Sequence, residues 1–89
     1  AQKVGLKLRE VSRTRQVICV THLAQIASLA DAHFQIKKHV EHDRTYTNVT
    51  ALDHEGRKRE LARIMGGTEI TELLLQNAEE MLQMAKKTP

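Results

Sequence analysis

Hydrophobic positions follow two different patterns along this chain, which predict both helices and strands. Residues 1–14 carry apolar side chains at positions i, i+4 and i+7, namely Val4, Leu8 and Val11, and this spacing predicts a helix. Residues 16–21 are instead a continuous, β-branched run, which is typical of a strand covered on both faces in a parallel sheet. No second run of this kind occurs in the chain, so we expect the neighbours of this strand to come from elsewhere.

The middle of the chain predicts a short helix followed by a β-hairpin. The helix is expected over residues 23–30, where leucine, isoleucine and alanine share one side. Two weakly alternating segments, 32–40 and 45–53, predict the two strands of the hairpin, and the polar connector 41–44 predicts the turn between them. The polar content of these strands predicts that one face of the hairpin is solvated.

Two further helices are predicted in the last third of the chain. The first spans 55–65 and ends at Gly66-Gly67, because glycine tolerates the left-handed C-cap conformation. Thr68 is expected to cap the last helix, 69–87, which has acidic residues in its first turn and lysines in its last. The predicted apolar stripe of that helix consists of Ile70, Leu73, Leu74, Asn77 or Ala78, Met81 and Ala85. The predicted order is α-β-α-β-β-α-α, an α/β chain with an incomplete sheet.

Composition narrows the class of protein. The 89 residues suffice for one small domain, and 40% hydrophobic with 28% charged residues argues against disorder. No signal peptide and no apolar run long enough to cross a membrane occurs, so we expect a cytoplasmic chain without a membrane partner. The single cysteine, Cys19, lies inside the apolar run 16–21 and is predicted to be a buried, inert thiol in a reducing compartment.

The charge pattern offers a weak alternative function. The net charge is +3, and short basic clusters occur at Lys37-Lys38, Arg57-Lys58-Arg59 and Lys86-Lys87. Clusters of this length are more often solvated faces than nucleic-acid interfaces. Without aromatic platforms or a recognised motif, any binding to a phosphate backbone is expected to be minor and independent of sequence.

Histidines on the predicted hairpin raise the question of a metal site. His39, His42 and Asp43 are close in sequence, with His33 nearby, and such groups can bind zinc. No second cluster completes a tetrahedral set, and cysteine partners are lacking. The hairpin histidines are therefore interpreted as surface imidazoles, and no metal ligand is assigned.

His22 is the candidate for chemistry because it follows the predicted buried strand directly. Ligands bind at the carboxyl ends of strands in open α/β sheets. An imidazole there can donate a hydrogen bond to a phosphate oxygen or help to position an attacking water. The alternative is a half-buried histidine bonded to a backbone carbonyl, and position alone favours this structural role.

Residues 17–27, with the sequence VICVTHLAQIA, resemble the switch-histidine region of ABC-type ATPases, and more narrowly that of the RecN family of SMC-like bacterial repair ATPases. Residues 1–5 resemble the helix that follows the D-loop in that family. Residues 33–38 resemble the next strand of the family, and residues 60–67 resemble its C-terminal signature. The resemblance extends over essentially all 89 residues, and the order and spacing of these elements make it specific. Ala24 departs from the family, where proline is common.

The resemblance implies a fold, a reaction and partners. The fold is the C-terminal portion of an ABC-type (P-loop NTPase) head. The reaction is hydrolysis of ATP with Mg²⁺ between the two heads of a homodimer, coupled to DNA binding in double-strand-break repair and recombination. His22, as the switch histidine, would contact the γ-phosphate and stabilise the charge that develops in the transition state. The cellular place implied is the cytoplasm, in association with the nucleoid.

Several parts of such an active site do not occur in this sequence. The chain has no G-x-x-x-x-G-K-[ST] phosphate loop, no signature motif and no aspartate-glutamate pair for Mg²⁺ and water. Together with a start inside a predicted helix, this leads us to expect residues 1–89 to be one partial domain. It would need the N-terminal part of the same head, and alone it would bind no cofactor and hydrolyse no ATP. The competing hypothesis is a non-enzymatic interaction or dimerisation module that uses the hairpin or the last two helices.

Overall fold

The computed structural model describes residues 2–88, which form four helices and one two-stranded antiparallel sheet. The elements in chain order are α1 (Gln2–Ser12), α2 (Ala24–Ser28), β1 (Phe34–Glu41), β2 (Arg44–Ala51), α3 (His54–Gly66) and α4 (Glu72–Lys87). The predicted mixed α/β class is confirmed. The predicted order is not, since the strand expected between α1 and α2 is missing from the described residues.

Residues 16–21 form an irregular segment instead of the predicted strand. Within residues 2–88, no backbone–backbone hydrogen bond involves residues 16–22. Ile18 and Val20 are 83% and 88% exposed, and Cys19 is exposed as well, so the prediction of a buried thiol is wrong. The physical reason is that a strand needs hydrogen-bonding neighbours, and the described chain places none beside this segment.

The first predicted helix is confirmed as α1, although its buried face differs from the predicted stripe. Val4 and Val11 are exposed, whereas Gly5 is buried against the end of α2. A Cβ atom at Gly5 would lie 2.6 Å from Cδ1 of Leu29, which no real side chain tolerates without a shift. Glycine therefore lets α1 approach α2 closely.

A compact core joins α2, α3 and α4. Leu61 and Ala62 of α3 and Ala78 of α4 are fully inaccessible to solvent. The other buried members of this cluster are Ala24, Ala27 and Leu82. Because four of these six side chains are alanines, the helices can pack closely. Leu61 is the largest fully buried side chain among residues 2–88.

The last helix begins later than predicted. Thr71, not Thr68, is its N-cap, and the Thr71 hydroxyl oxygen accepts a hydrogen bond from the amide of Leu74 at 3.2 Å. Gly67 ends α3 with a positive φ of 75°, as the glycine pair predicted. The residues between Gly67 and Thr71 form the connection between the two helices, which places Thr68 outside α4.

The buried face of α4 is also shifted from the predicted stripe. Ala78, Leu82 and Ala85 are buried, at positions i, i+4 and i+7. Ile70 and Leu73 are exposed, so their assignment to the core is wrong. Leu82 was not predicted because the apolar residues of this helix extend around more than one face, and only packing against α3 decides which face is buried.

The predicted hairpin is confirmed as β1 and β2, with Ile36 opposite Val49 in the register. The turn residues His42 and Asp43 have positive φ values of 51° and 65°, as the two-residue type I′ turn requires. Both faces of the hairpin are exposed, rather than one, including the apolar side chain of Phe34. None of the helices in the described part of the chain is long and apolar enough to cross a lipid bilayer.

Candidate functional site

His22 lies in the turn that connects the irregular segment 16–21 to α2, and its side chain is exposed. The turn is ordered by Thr21, whose hydroxyl oxygen accepts a hydrogen bond from the amide of Leu23 at 3.0 Å. Only Leu23 separates His22 from the first residue of α2. Within residues 2–88 the imidazole of His22 is exposed and therefore accessible to a ligand.

An open cavity of about 1340 Å³ adjoins His22 and is lined by α1, the irregular segment, β1 and α3. Its volume exceeds the range of about 300–1,000 Å³ that is usual for small-molecule pockets. Apolar side chains of the irregular segment, among them Ile18 and Val20, line it and are exposed. The exposed apolar side chains of segment 16–21 therefore border this open cavity.

Arg57 of α3 binds the carboxyl end of α2. Its Nη2 atom lies 3.3 Å, 3.4 Å and 2.9 Å from the carbonyl oxygens of Ala27, Ser28 and Ala30, to which it donates hydrogen bonds. The side chain is partly buried, and this burial lowers the pKa of Arg57, while the negative charge of Asp31 opposes that shift. A guanidinium nevertheless stays charged at any physiological pH.

A second arginine binds the carboxyl end of another helix. Nη1 of Arg9 in α1 donates to the carbonyl oxygen of Ala85, 2.6 Å away, in the last turn of α4. A cation at this position also meets the negative end of the helix dipole. Arg9 therefore attaches α1 to α4, although the two residues lie 76 positions apart in the chain.

Glu60 connects β1 to α3. The residue is 7% exposed, and its carboxylate accepts a hydrogen bond from Nε2 of Gln35 at 2.6 Å. Arg63, one turn further along α3, donates to the same carboxylate from Nε at 3.1 Å and also from Nη2. The hydrogen bonds and charge of Arg63, together with Gln35, lower the pKa of Glu60 from its ordinary 4.5, although burial opposes this.

Glu60→Gln is expected to destabilise the contact between β1 and α3 by about 1 kcal/mol at neutral pH, because the charge-assisted hydrogen bonds are lost. The folded state lowers the pKa of Glu60, so its ionised form contributes stability above about pH 4.5, the unfolded value. That contribution disappears as the pH falls through the lower, folded pKa. Amide hydrogen exchange in α3, compared between wild type and variant at the same pH, measures the difference.

The expected difference in protection is present at pH 7. It narrows below about pH 4.5, where Glu60 takes up a proton in the unfolded state, and it is lost as the pH falls through the lower pKa of folded Glu60. Glu80→Gln is the matched control, because Glu80 is an exposed carboxylate on α4. A difference between wild type and Glu60→Gln that stays constant down to pH 3 would contradict the role of the Glu60 charge.

His33 lies at the base of the hairpin, beside Glu60 and Arg57. Burial and the positive charge of Arg57 lower the pKa of His33 from its ordinary 6.5, against the opposing charge of Glu60, so its imidazole is neutral at pH 7. Its carbonyl oxygen accepts a hydrogen bond from the amide of Leu52 at 2.9 Å, which closes the hairpin. Within residues 2–88 its buried Nδ1 atom has no hydrogen-bond partner.

The other hairpin histidines lie on the surface. His39 stacks on Tyr46, its cross-strand neighbour, with the ring centroids 5.2 Å apart. Nε2 of His42 lies 4.0 Å from the carboxylate of Glu41. In the part of the chain that the structure describes, no group of three or more histidine, cysteine, aspartate or glutamate side chains is arranged to hold a metal ion.

Sequence reasoning identified His22 but missed Arg57 and Glu60. Arg57 was interpreted as part of a solvated basic cluster, and Glu60 was seen only as part of a family motif. Their positions did contain a signal, since Arg57 and Leu61 are four residues apart and therefore share one face of α3. A charged residue on the face of a core leucine is a candidate for a buried hydrogen-bonding role.

Comparison with known proteins gives a consistent result. No protein-family profile matches the chain. The DNA repair protein RecN of Haemophilus influenzae is 46% identical over 84 residues, which are 94% of this chain and 15% of that protein. RecN of Bacillus subtilis is 39% identical over 96% of the chain, and RecN of Vibrio cholerae 43% over 92%, each again matched over 15% of its own length. The chain therefore matches a segment of RecN proteins, and it spans 15% of the length of these relatives.

Proposed function

We propose that this chain is the C-terminal segment of a RecN-type ATPase head and that His22 is its switch histidine. The complete protein would hydrolyse ATP in the repair of DNA double-strand breaks and in recombination. The similarity to proteins named DNA repair protein RecN supports the class of function. The exposed position of His22, at the end of an uncovered apolar segment, is the observation that supports its role.

The chemistry follows from where His22 would lie in a complete sheet. When the irregular segment 16–21 is paired with strands from the rest of the head, His22 stands at the carboxyl end of that strand, where α/β sheets bind their ligands. The imidazole would then donate a hydrogen bond to a γ-phosphate oxygen of ATP. This bond stabilises the negative charge that builds on the phosphoryl group as the bond to ADP breaks.

The remaining parts of the active site belong to other segments of the proposed head. The phosphate loop and the acidic pair would come from the N-terminal part, and the signature motif from the second head of a homodimer. In the proposed head, Mg²⁺ would be held by the acidic pair of the N-terminal part. In this scheme residues 1–89 are one partial domain, and DNA is bound by the complete protein in the cytoplasm, at the nucleoid.

ATP turnover in the complete protein carrying His22→Ala tests the proposal. A large loss of turnover with nucleotide binding retained supports it. Turnover equal to that of the wild type removes His22 from the mechanism.

The isolated chain is expected to bind no ATP, because it contains no phosphate loop. It is also expected to self-associate, because the irregular segment and the hairpin expose apolar side chains, including Ile18, Val20 and Phe34, that the rest of a head would cover. Sedimentation together with thermal unfolding of the isolated chain measures this. A stable, cooperatively unfolding monomer would instead support the non-enzymatic interaction module, and salt-sensitive binding of duplex DNA would support the basic DNA-binding module.

A further inference from the structure

We infer that Arg57 is a positioning residue for His22: it holds the carboxyl end of α2, and through α2 it holds the turn that carries the imidazole. The inference rests on the proposed function of His22 as the γ-phosphate contact. It concerns a residue on another helix, 35 positions away in the sequence, whose hydrogen bonds go to backbone carbonyl oxygens at the end of α2.

The helix that follows His22 depends on other elements for its position. α2 has only five residues, so it forms little more than one turn. A helix this short is not stable on its own, because the conformational entropy lost in forming the first turn outweighs the stabilisation from its few hydrogen bonds. Its N-cap is Leu23, whose side chain provides no capping hydrogen bond. The placement of α2 therefore depends on contacts with other elements.

Arg57 provides hydrogen-bond donors to the carboxyl end of α2. The last carbonyl oxygens of a helix have no donor within the helix, and they must find one elsewhere when they are shielded from water. Nη2 of Arg57 lies 3.3 Å and 3.4 Å from the carbonyl oxygens of Ala27 and Ser28 in the last turn of α2, and 2.9 Å from that of Ala30, two residues beyond the helix. The Ala27 oxygen also accepts a hydrogen bond from the amide of Ala30. The positive charge of the guanidinium also meets the negative end of the helix dipole, so Arg57 joins the carboxyl end of α2 to α3.

The position of α2 also determines the position of His22. Ala24 and Ala27 anchor α2 in the core, while Leu23 alone lies between the helix and His22. The hydrogen bond from the amide of Leu23 to the hydroxyl of Thr21 makes the intervening turn compact. A displaced or frayed α2 would therefore shift the backbone of His22. Catalytic groups tolerate little displacement, since an error of about 1 Å can cost roughly a hundredfold in rate.

The chain offers a matched control for this role. Arg59 has the same chemistry and lies two residues further along α3, but it is exposed on the outer side of the helix. Removing Arg59 changes the charge of α3 by the same amount as removing Arg57 and leaves the carbonyl oxygens of α2 bonded. A difference between the two variants therefore reports the contact and not the charge.

The test uses Arg57→Met, Arg57→Lys and Arg59→Met in the complete protein. For Arg57→Met we expect kcat for ATP hydrolysis to fall by about tenfold or more, with KM changed by less than about twofold. Arg57→Lys is expected to lie between wild type and Arg57→Met, because lysine keeps the positive charge but its ammonium nitrogen ends one bond short of the position of Nη2. It also keeps the test interpretable if Arg57→Met folds poorly. Arg59→Met should behave as wild type.

Two further readouts separate positioning from a general loss of stability. Amide hydrogen exchange should increase in residues 23–30 for Arg57→Met and not for Arg59→Met. In a double-mutant cycle, Arg57→Met added to His22→Ala should cause no further loss of kcat, because Arg57 acts through His22. Losses of kcat that multiply in the double variant would overturn the inference.

The failure of this inference can be told from the failure of the proposed function. Normal turnover of His22→Ala would overturn the proposed function. Unchanged hydrogen exchange of residues 23–30 in Arg57→Met would overturn the positioning role, even if His22→Ala is inactive. A reduced kcat in Arg57→Met with wild-type exchange would likewise count against it.

Discussion

In the complete protein, His22→Ala is expected to lower kcat for ATP hydrolysis by about 10²–10³-fold, the usual effect of removing one donor that stabilises transition-state charge. Affinity for the nucleotide is expected to change little, because the phosphate loop, which this chain does not contain, would provide most of the ground-state contacts. His22 is exposed and lies outside the helical core, so the substitution should leave the fold intact.

The measurement is steady-state ATP turnover combined with equilibrium binding of a non-hydrolysable ATP analogue. His42→Ala is the matched control, since its side chain is 90% exposed at the tip of the hairpin and should leave turnover unchanged. A parallel loss of turnover and of analogue binding in His22→Ala would assign the histidine to nucleotide binding instead. Wild-type turnover would exclude it from the reaction.

Leu61→Ala is expected to have the largest effect on stability, about 2–5 kcal/mol, because it leaves a cavity in a core that cannot easily collapse. Leu61 is fully inaccessible and packs in the cluster formed by α2, α3 and α4. Most of its neighbours in this cluster are alanines, such as Ala62 and Ala78, which are too short to move into the space. The packing of α3 against α4 should therefore weaken first.

Amide hydrogen exchange in α3 and α4 of the complete protein measures this loss as a lower free energy of local opening. Leu73→Ala is the control, because Leu73 is on α4 and 66% exposed, so its truncation removes little buried surface. Equal exchange rates in the two variants would contradict the assignment of Leu61 to the centre of the core.

The elements that sequence predicted well are those with local signals. α3 was expected over 55–65 and spans His54–Gly66, because Asp53 caps its start by accepting a hydrogen bond from the amide of Gly56 and Gly67 ends it. The hairpin was found for a similar reason, since its polar connector contains the two residues that adopt positive φ. Caps and turns depend on a few adjacent residues, which a sequence displays directly.

The elements that sequence predicted poorly depend on distant partners. The apolar run 16–21 has strong strand character, yet a strand exists only where another strand pairs with it. The buried face of α4 was misjudged because Leu73 and Leu82 are equally apolar, and only contact with α3 distinguishes them. Spacing alone therefore cannot decide which of several apolar faces is covered.

The residues of the candidate site also differ in whether a local sequence signal indicated them. His22 could be singled out because it directly follows an apolar run, a feature that is visible in the sequence. The contacts of Arg57 with α2 and of Glu60 with Gln35 join residues 25 to 30 positions apart. Nothing near Arg57 or Glu60 in the sequence indicates these distant partners, so the two contacts required coordinates.

The stacking of His39 on Tyr46 gives this segment a local optical probe. Tyr46 is the only tyrosine and the chain has no tryptophan, so ultraviolet fluorescence of the segment comes from the hairpin and not from the helical core. Tyrosine fluorescence should therefore report on the hairpin, whereas the far-ultraviolet circular dichroism is dominated by the helices.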